Sequence, residues 1–394
     1  MCRLGSATPP ADHTLLFKMI PPAQDTAKTV AIIGGGLSGW AAAYALASQS
    51  ASPLRLYVVE AKPIHGGRTR SLSLVDIGGA WIWPSNPLSL KLVHDLKVPH
   101  LKDGMAGNGE IRLHDGMASL VQAMQDSVSK QPHVNLTTQL SCRVTGIRYD
   151  QRKVLLDIEG AESLQVDQAI VALPTRLAAR TIGFTPPLDS TLHRAMLKQN
   201  IWMAAMAKVS LRFSAPWWTS GPYPINNLRA PSRSIVQLMD ASTSTAGHAV
   251  VAFAVPPPDD LPTPEGSMSS SSNGNMSPRQ AWLGEITDAI KTLAQRQFYV
   301  TEDTWRSTLE GVDFYSWRHD PLVFATDGVH EPGHGVYFQH PYDGGNQLRE
   351  PIRFKDSLDV AVVMAGSETD DEYPGFIEGA LRAGFRAAAS ILAN

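Results

Sequence analysis

Charge is scarce in this sequence of 394 residues. Only 18% of residues are charged, against 43% hydrophobic, and 34 Lys and Arg nearly balance 37 Asp and Glu to leave a formal net charge of −3. A chain so close to neutral lacks the basic surface of a nucleic-acid binder and the excess charge of an acidic disordered chain. Cysteine is almost missing, with Cys2 and Cys142 alone. That excludes a disulfide framework and a cysteine-rich zinc site, and it fits a reduced, cytoplasmic protein. A secretory signal is also lacking, since Leu15-Leu16-Phe17 is interrupted by Lys18 and no cleavage site follows. No hydrophobic tail extends beyond Ala387–Leu392, so no membrane anchor is expected. The one long uncharged stretch, 26 residues from Thr29 to Leu54, has the length of a membrane span. Its Gly34-Gly35-Gly36, Ser38, Gly39, Ser48, Gln49 and Ser50 fit a strand, a turn and a helix better.

The length predicts two or three domain-sized units. Residues 1–28, rich in Pro, Ala and Thr without periodicity, read as a flexible tail. A βαβ unit follows: strand Thr29–Ile33, a glycine turn, a helix over Trp40–Ala47, and strand Leu54–Val59 ending at Glu60. Two strands of a hairpin are predicted over 141–149 and 153–158, and a buried strand over 168–173 stops at Pro174. Ala207–Phe213 alternates with period two, which puts Lys208, Ser210 and Arg212 on a face turned away from the core. Further strands are expected at Ile235–Met239 and Ala249–Val255, a low-complexity loop at 256–280, a helix at Gln280–Arg296, a strand at Val360–Met364 and a last helix from about Gly375 to Leu392.

Chemistry concentrates at the glycines. Gly34-Gly35-Gly36-Leu37-Ser38-Gly39 has the G-x-G-x-x-G pattern between a strand and a helix, with Glu60 placed 21 residues after Gly39 at the end of the next strand. Gly34 allows the tight turn, Gly36 lets a pyrophosphate approach the backbone, and Gly39 lets the helix pack on the strand. The helix start offers N–H groups to phosphate. Glu60 can accept from a ribose diol and disfavours a 2′-phosphate. Two more glycine pairs, in Gly66-Gly67-Arg68-Thr69 and Asp76-Ile77-Gly78-Gly79-Ala80-Trp81, imply backbone close to a flat, bulky ligand. Arg68 supplies a fork of donors.

With these motifs the chain resembles the flavin-containing amine oxidase family of monoamine and polyamine oxidases. The resemblance returns at the other end in Met364-Ala365-Gly366-Ser367-Glu368-Thr369 and Tyr373-Pro374-Gly375-Phe376-Ile377-Glu378-Gly379-Ala380. Arg112–Leu120, with its Gly116-Met117, and Pro216-Trp217-Trp218 are similar as well. The resemblance implies an α/β fold, in which a Rossmann-type FAD-binding domain (29–93, 140–175 and 341–394) is interleaved with a mixed-sheet α+β substrate domain (94–139 and 176–340). It implies FAD contacts from Gly34, Gly36, Leu37, Ser38, Gly39, Glu60, Ala61, Gly67, Arg68, Gly79, Ala80, Trp81, Val144, Gly366, Ser367, Glu368, Gly375, Phe376 and Ile377. Lys208, on a strand before an aromatic pair, matches the lysine that holds a water against flavin N5 in the family.

The family frames its amine pocket with two aromatic rings. Phe376 falls where a tyrosine or another aromatic usually stands, and Phe324, after Trp317, is the candidate for the opposite wall. Trp81-Ile82-Trp83 reads either as core packing or as a wall beside the flavin. Family members with covalent flavin carry a cysteine in the region aligned with 320–326; none is present here, which implies non-covalent FAD. The implied activity is oxidation of an amine by hydride transfer from its α-carbon to flavin N5, giving an imine, then an aldehyde or ketone, and hydrogen peroxide. Amine and oxygen are the expected partners, with neither nucleic acid nor membrane, and a homodimer stays open. A desaturase or dehydrogenase that does not use oxygen is the alternative, and an FAD-binding sensor the third reading. His330, His334 and His340 lack the acid or cysteine spacing of a metal site, so no metal is expected.

Overall fold

The computed structural model describes residues 27–101, 109–202, 206–219, 225–227, 232–243, 245, 247–255, 264–267, 277–324, 346–354 and 360–394. Most of the expected tail, most of the 256–280 loop, His330, His334 and His340 lie outside them. Lys28–Ile33 is the centre of a five-stranded parallel sheet with the order Val362–Met364, Gln168–Val171, Lys28–Ile33, Leu54–Val59, Val134–Gln139. Its strands other than the edge strand Val134–Gln139 are short, largely apolar runs because both sheet faces are covered there. On one face, Val30, Ile32 and Leu56 pack with Trp40 and Leu46 of helix Leu37–Gln49 and with Leu381 and Ile391 of helix Ile377–Leu392. On the other, Ala31, Ile33 and Met364 meet Ile147 and Leu156 of the antiparallel strands Val144–Asp150 and Lys153–Ile158. Neighbours in sequence thus enter different cores, as the period of two demands.

One boundary differs from the sequence reading, which groups 94–139 with the substrate domain. Helix Ala118–Ser129 buries Leu120, Val121, Met124 and Val128 in the core that holds Trp40, and strand Val134–Gln139 pairs with Leu54–Val59 throughout its length. These residues complete the parallel sheet. A strand that alternates apolar and polar residues, as Val134–Gln139 does, gives no sign of which sheet it joins.

The second sheet is antiparallel, in the order Ile235–Asp240, His248–Ala254, Ala207–Phe213, Leu309–Ser316, Glu265–Ser267. Ala207, Val209, Leu211 and Phe213 point into a core closed by helix Pro278–Phe298, with Trp217, Trp218 and Trp305 stacked edge-on around Phe213. Pro216-Trp217-Trp218 is therefore structural packing. The helix outruns its expected span because Ser277 and Gln280 form a reciprocal capping box ahead of Pro278. The opposite face carries a row of registered neighbours: Gln237, Phe253, Lys208, Tyr315 and Glu265. The expectation of an outward face on Ala207–Phe213 fails here, since Lys208 is 5% and Ser210 0% exposed. That face looks across a cavity at the parallel sheet.

Candidate active site

A cavity of about 410 Å³ runs between the two sheets. Its polar end is built from the C-terminal ends of the parallel strands. After Lys28–Ile33 the chain must turn sharply, and Gly34 does so at φ +104°, where a Cβ would also stand 2.8 Å from the Ala172 carbonyl oxygen. A Cβ on Gly39 would overlap the Gly34 carbonyl, so only glycine lets the helix start this close to the strand. Helix Leu37–Gln49 begins at Gly36 with no side-chain cap, and Gly34, Gly36, Leu37 and Ser38 line the cavity. Its first N–H groups and its dipole are left for a ligand.

Glu60 lies beside them, 7% exposed, with its carboxylate accepting from the backbone N–H of Gly35 and of Lys62, each at 2.7 Å. Burial pushes its pKa up, and the two N–H bonds pull against that. Arg68 donates to Glu368 Oε1 at 2.6 Å and to Ser367 Oγ at 2.7 Å, tying the first glycine-rich loop to a segment 300 residues away. The Glu368 side chain is fully buried, and its Oε2 has no hydrogen-bond partner. A buried carboxylate oxygen without a donor is costly. An uncapped helix start and a carboxylate at the second strand end, both on the cavity wall, are features that a bound dinucleotide with ribose hydroxyls would satisfy. Helix Ile377–Leu392 also starts without a side-chain cap at the cavity wall, where Gly375, Phe376 and Ile377 lie. Its Glu378 instead accepts from Leu88 N, Ser89 N and Ser89 Oγ, capping helix Pro87–Asp95.

The other end is aromatic. Lys208 Nζ donates to the Gly78 carbonyl at 2.5 Å and sits 4.8 Å from the Trp81 ring and 4.7 Å from the Phe253 ring. Burial lowers its pKa from 10.5 to about 8, and the charge of Asp76 opposes the fall. Phe376 pairs with Trp202 at 5.2 Å between ring centroids, and Trp81 with Phe253 at 6.0 Å. Trp317 is held by its indole N–H on the Ile77 carbonyl at 3.0 Å.

Of the residues singled out in the sequence, Ala61, Gly67, Gly79, Ala80, Trp81, Trp83, Val144, Ser367, Trp317 and Lys208 line this one cavity together with those named above. Gly39, Gly366 and Glu368 are not among the lining residues; Glu368 reaches the wall through Arg68. Phe324 does not line it either. The amides of Val323 and Phe324 both fold back onto the Asp320 carbonyl, so Leu322 and Val323 reach the wall while Phe324 packs on Ile77, Tyr315 and Trp317. The ring packed against Phe376 at the cavity wall is Trp202. Sequence reasoning also passed over Phe253, which the strand register places next to Lys208. It missed Lys62 too. This cavity residue forms a buried ion pair with Asp320, which also accepts from Tyr315 Oη at 2.6 Å. Lys62 stands two residues after Glu60 in the nucleotide motif, a signal that could have found it. Trp202 has no such signal.

Comparison with known proteins matches this arrangement. Residues 32–96 match the NAD(P)-binding Rossmann-like domain. A putrescine oxidase bound to putrescine superposes with a TM-score of 0.64 at 16% identity, covering 93% of this chain and 99% of the other. A variant from a structure-based redesign of cofactor binding in putrescine oxidase gives the same score, identity and coverage. Another variant from that redesign, at 15% identity, is covered over its entire length. At such identities the likeness is one of fold. Residues 98–392, well over half of the chain, match the flavin containing amine oxidoreductases, and the protein belongs to that family of flavin-dependent oxidoreductases.

Proposed function

We propose that the protein is an FAD-dependent amine oxidase that holds its FAD without a covalent bond and acts on amines with an apolar substituent. The observation that carries this reading is the placement of Lys208, a buried cation where the polar groove of the glycine turn meets an aromatic chamber. The residues fit FAD. The start of helix Leu37–Gln49 and Arg68 would hold the pyrophosphate, Glu60 the ribose diol, and Ala80, Trp81 and Ile377 would flank the ring. When bound, FAD supplies the electron acceptor for hydride loss from the amine α-carbon, and oxygen as final acceptor gives hydrogen peroxide.

The chain does the rest. Trp202, Phe376 and Trp317 exclude water and favour the neutral amine through apolar and quadrupole contacts. Lys208, with a pKa of about 8, is predominantly protonated at neutral pH and supplies positive charge beside the reacting atoms. Its bond to Gly78 fixes where that charge sits. We read the chain as two interleaved units, the flavin unit drawing on both ends of the sequence.

The test is to load the purified protein with FAD and mix it anaerobically with a panel of amines and amino acids, watching the flavin absorbance. Bleaching by an apolar amine, followed by rapid recovery on admitting oxygen, is expected. Protein that stays colourless after reconstitution refutes the cofactor assignment. Slow recovery in oxygen favours a dehydrogenase. Lys208→Met turning over the panel at the wild-type rate removes Lys208 from the chemistry.

A further inference from the structure

Behind the cavity wall lies a buried set of charges that the reading above does not use. Asp76 opens the segment Asp76-Ile77-Gly78, whose last carbonyl receives the Lys208 ammonium. The Asp76 carboxylate accepts from Ser71 Oγ at 2.6 Å, and both its oxygens lie 3.1 Å from the Met117 backbone nitrogen. Among the described residues, the groups against Lys208 are uncharged: the rings of Trp81 and Phe253, the Gly78 carbonyl, and Tyr315 on the adjoining strand. Burial and the neighbouring Asp320 raise the Tyr315 pKa, so its phenol stays neutral. Asp76 also feels the charge of Arg112, which in turn is acted on by Asp240 and Glu110.

The geometry points to Asp76 as the positioning residue for Lys208: one three-residue segment supplies both the carbonyl that receives the ammonium and a buried carboxylate held in place by Ser71 and Met117. This rests on the role proposed for Lys208 but extends it to a residue outside the cavity. Asp76 makes no ion-pair contact with Lys208 and acts through space in a medium of low dielectric, where an opposite charge favours the protonated amine. Burial pushes the Asp76 pKa up, and the bonds from the Ser71 hydroxyl and the Met117 amide, with the charge of Lys208, pull against that rise. Neutral Asp76 would leave Lys208 with its desolvation uncompensated.

The experiment reads Lys208 itself rather than turnover. Full-length protein carrying FAD is treated with cyanate, which carbamylates only the neutral amine, across the neutral-to-alkaline range. Modification of Lys208 is followed by peptide mass spectrometry and normalised to free lysine. Wild type should show an inflection near the value of about 8. Asp76→Asn should move it about one pH unit or more toward acid. Ser71→Ala, which removes one of the donors that favour the charged carboxylate, should move it the same way by less. An inflection unmoved in Asp76→Asn overturns the inference, and if that variant does not fold, an unmoved inflection in Ser71→Ala does so. A shifted labelling profile with an unshifted pH profile of turnover upholds Asp76 as the tuner of Lys208 and removes Lys208 from the proposed chemistry.

Discussion

Replacing Lys208 by methionine should make the protein more stable at neutral pH than at alkaline pH, relative to wild type. The side chain is 5% exposed, and burial lowers its pKa from 10.5 to about 8. At about 1.36 kcal/mol per pH unit, that fall costs the folded state about 3 kcal/mol while the amine is protonated. Below about pH 8 both the folded and unfolded chains bind this proton, and the whole penalty is felt. As pH rises from about 8 toward 10.5, the unfolded chain holds the proton longer than the folded one, so wild-type stability rises. Methionine, of similar length, carries no charge to desolvate. Its advantage, measured against wild type, should therefore shrink by about 2 kcal/mol between neutral pH and about pH 9.5. The lost bond to Gly78 and the lost contacts with Trp81 and Phe253 offset part of the neutral-pH advantage. They do not account for the change with pH. Urea unfolding of both proteins, each saturated with FAD and followed at several pH values, measures the difference. Two stability curves that run parallel across this range would refute the argument that Lys208 is a buried, desolvated cation.

Two further changes probe the polar end. Arg68→Ala removes the partner of Glu368, whose side chain is fully buried, and should cost about 3 kcal/mol or more, since an uncompensated buried charge remains; a shift of the urea midpoint reads this. Gly39→Ala forces a Cβ onto the Gly34 carbonyl and should cost at least about 2 kcal/mol despite the better helix former; calorimetry of the FAD-free and FAD-loaded proteins should show the loss in both.

Much of the site was legible where backbone geometry dictates residue type. Gly34 and Gly39 are required by a turn and a close helix start, and Glu60 by the end of a strand, so their spacing survives in the sequence. The strand Ala207–Phe213 was legible to the residue from its alternation. The ring packed against Phe376 was not. Phe324 and Trp202 are both aromatic residues near chain turns, and the amides folded onto the Asp320 carbonyl decide which of them reaches the cavity. Lys62 and Asp320 pair across 258 residues, a distance over which no local pattern can speak.

The sequence alone thus determined the nucleotide-binding turn with the strand and helix on either side of it, because these rest on local sterics and hydrogen bonding within a few residues, while the closing motif was legible only through the family resemblance. Whether Lys208 is solvated or buried was decided only in three dimensions. Its strand has the alternation of a half-wet edge, and the second sheet turns that polar face toward the first. Only there do Phe253 from the next strand, Trp81 and the Gly78 carbonyl from a distant loop, and Asp76 behind them close around one ammonium group. Charge in a protein interior is set by what surrounds it, and the surroundings of Lys208 come from segments far from it in the chain, 76–81 and the strand that carries Phe253.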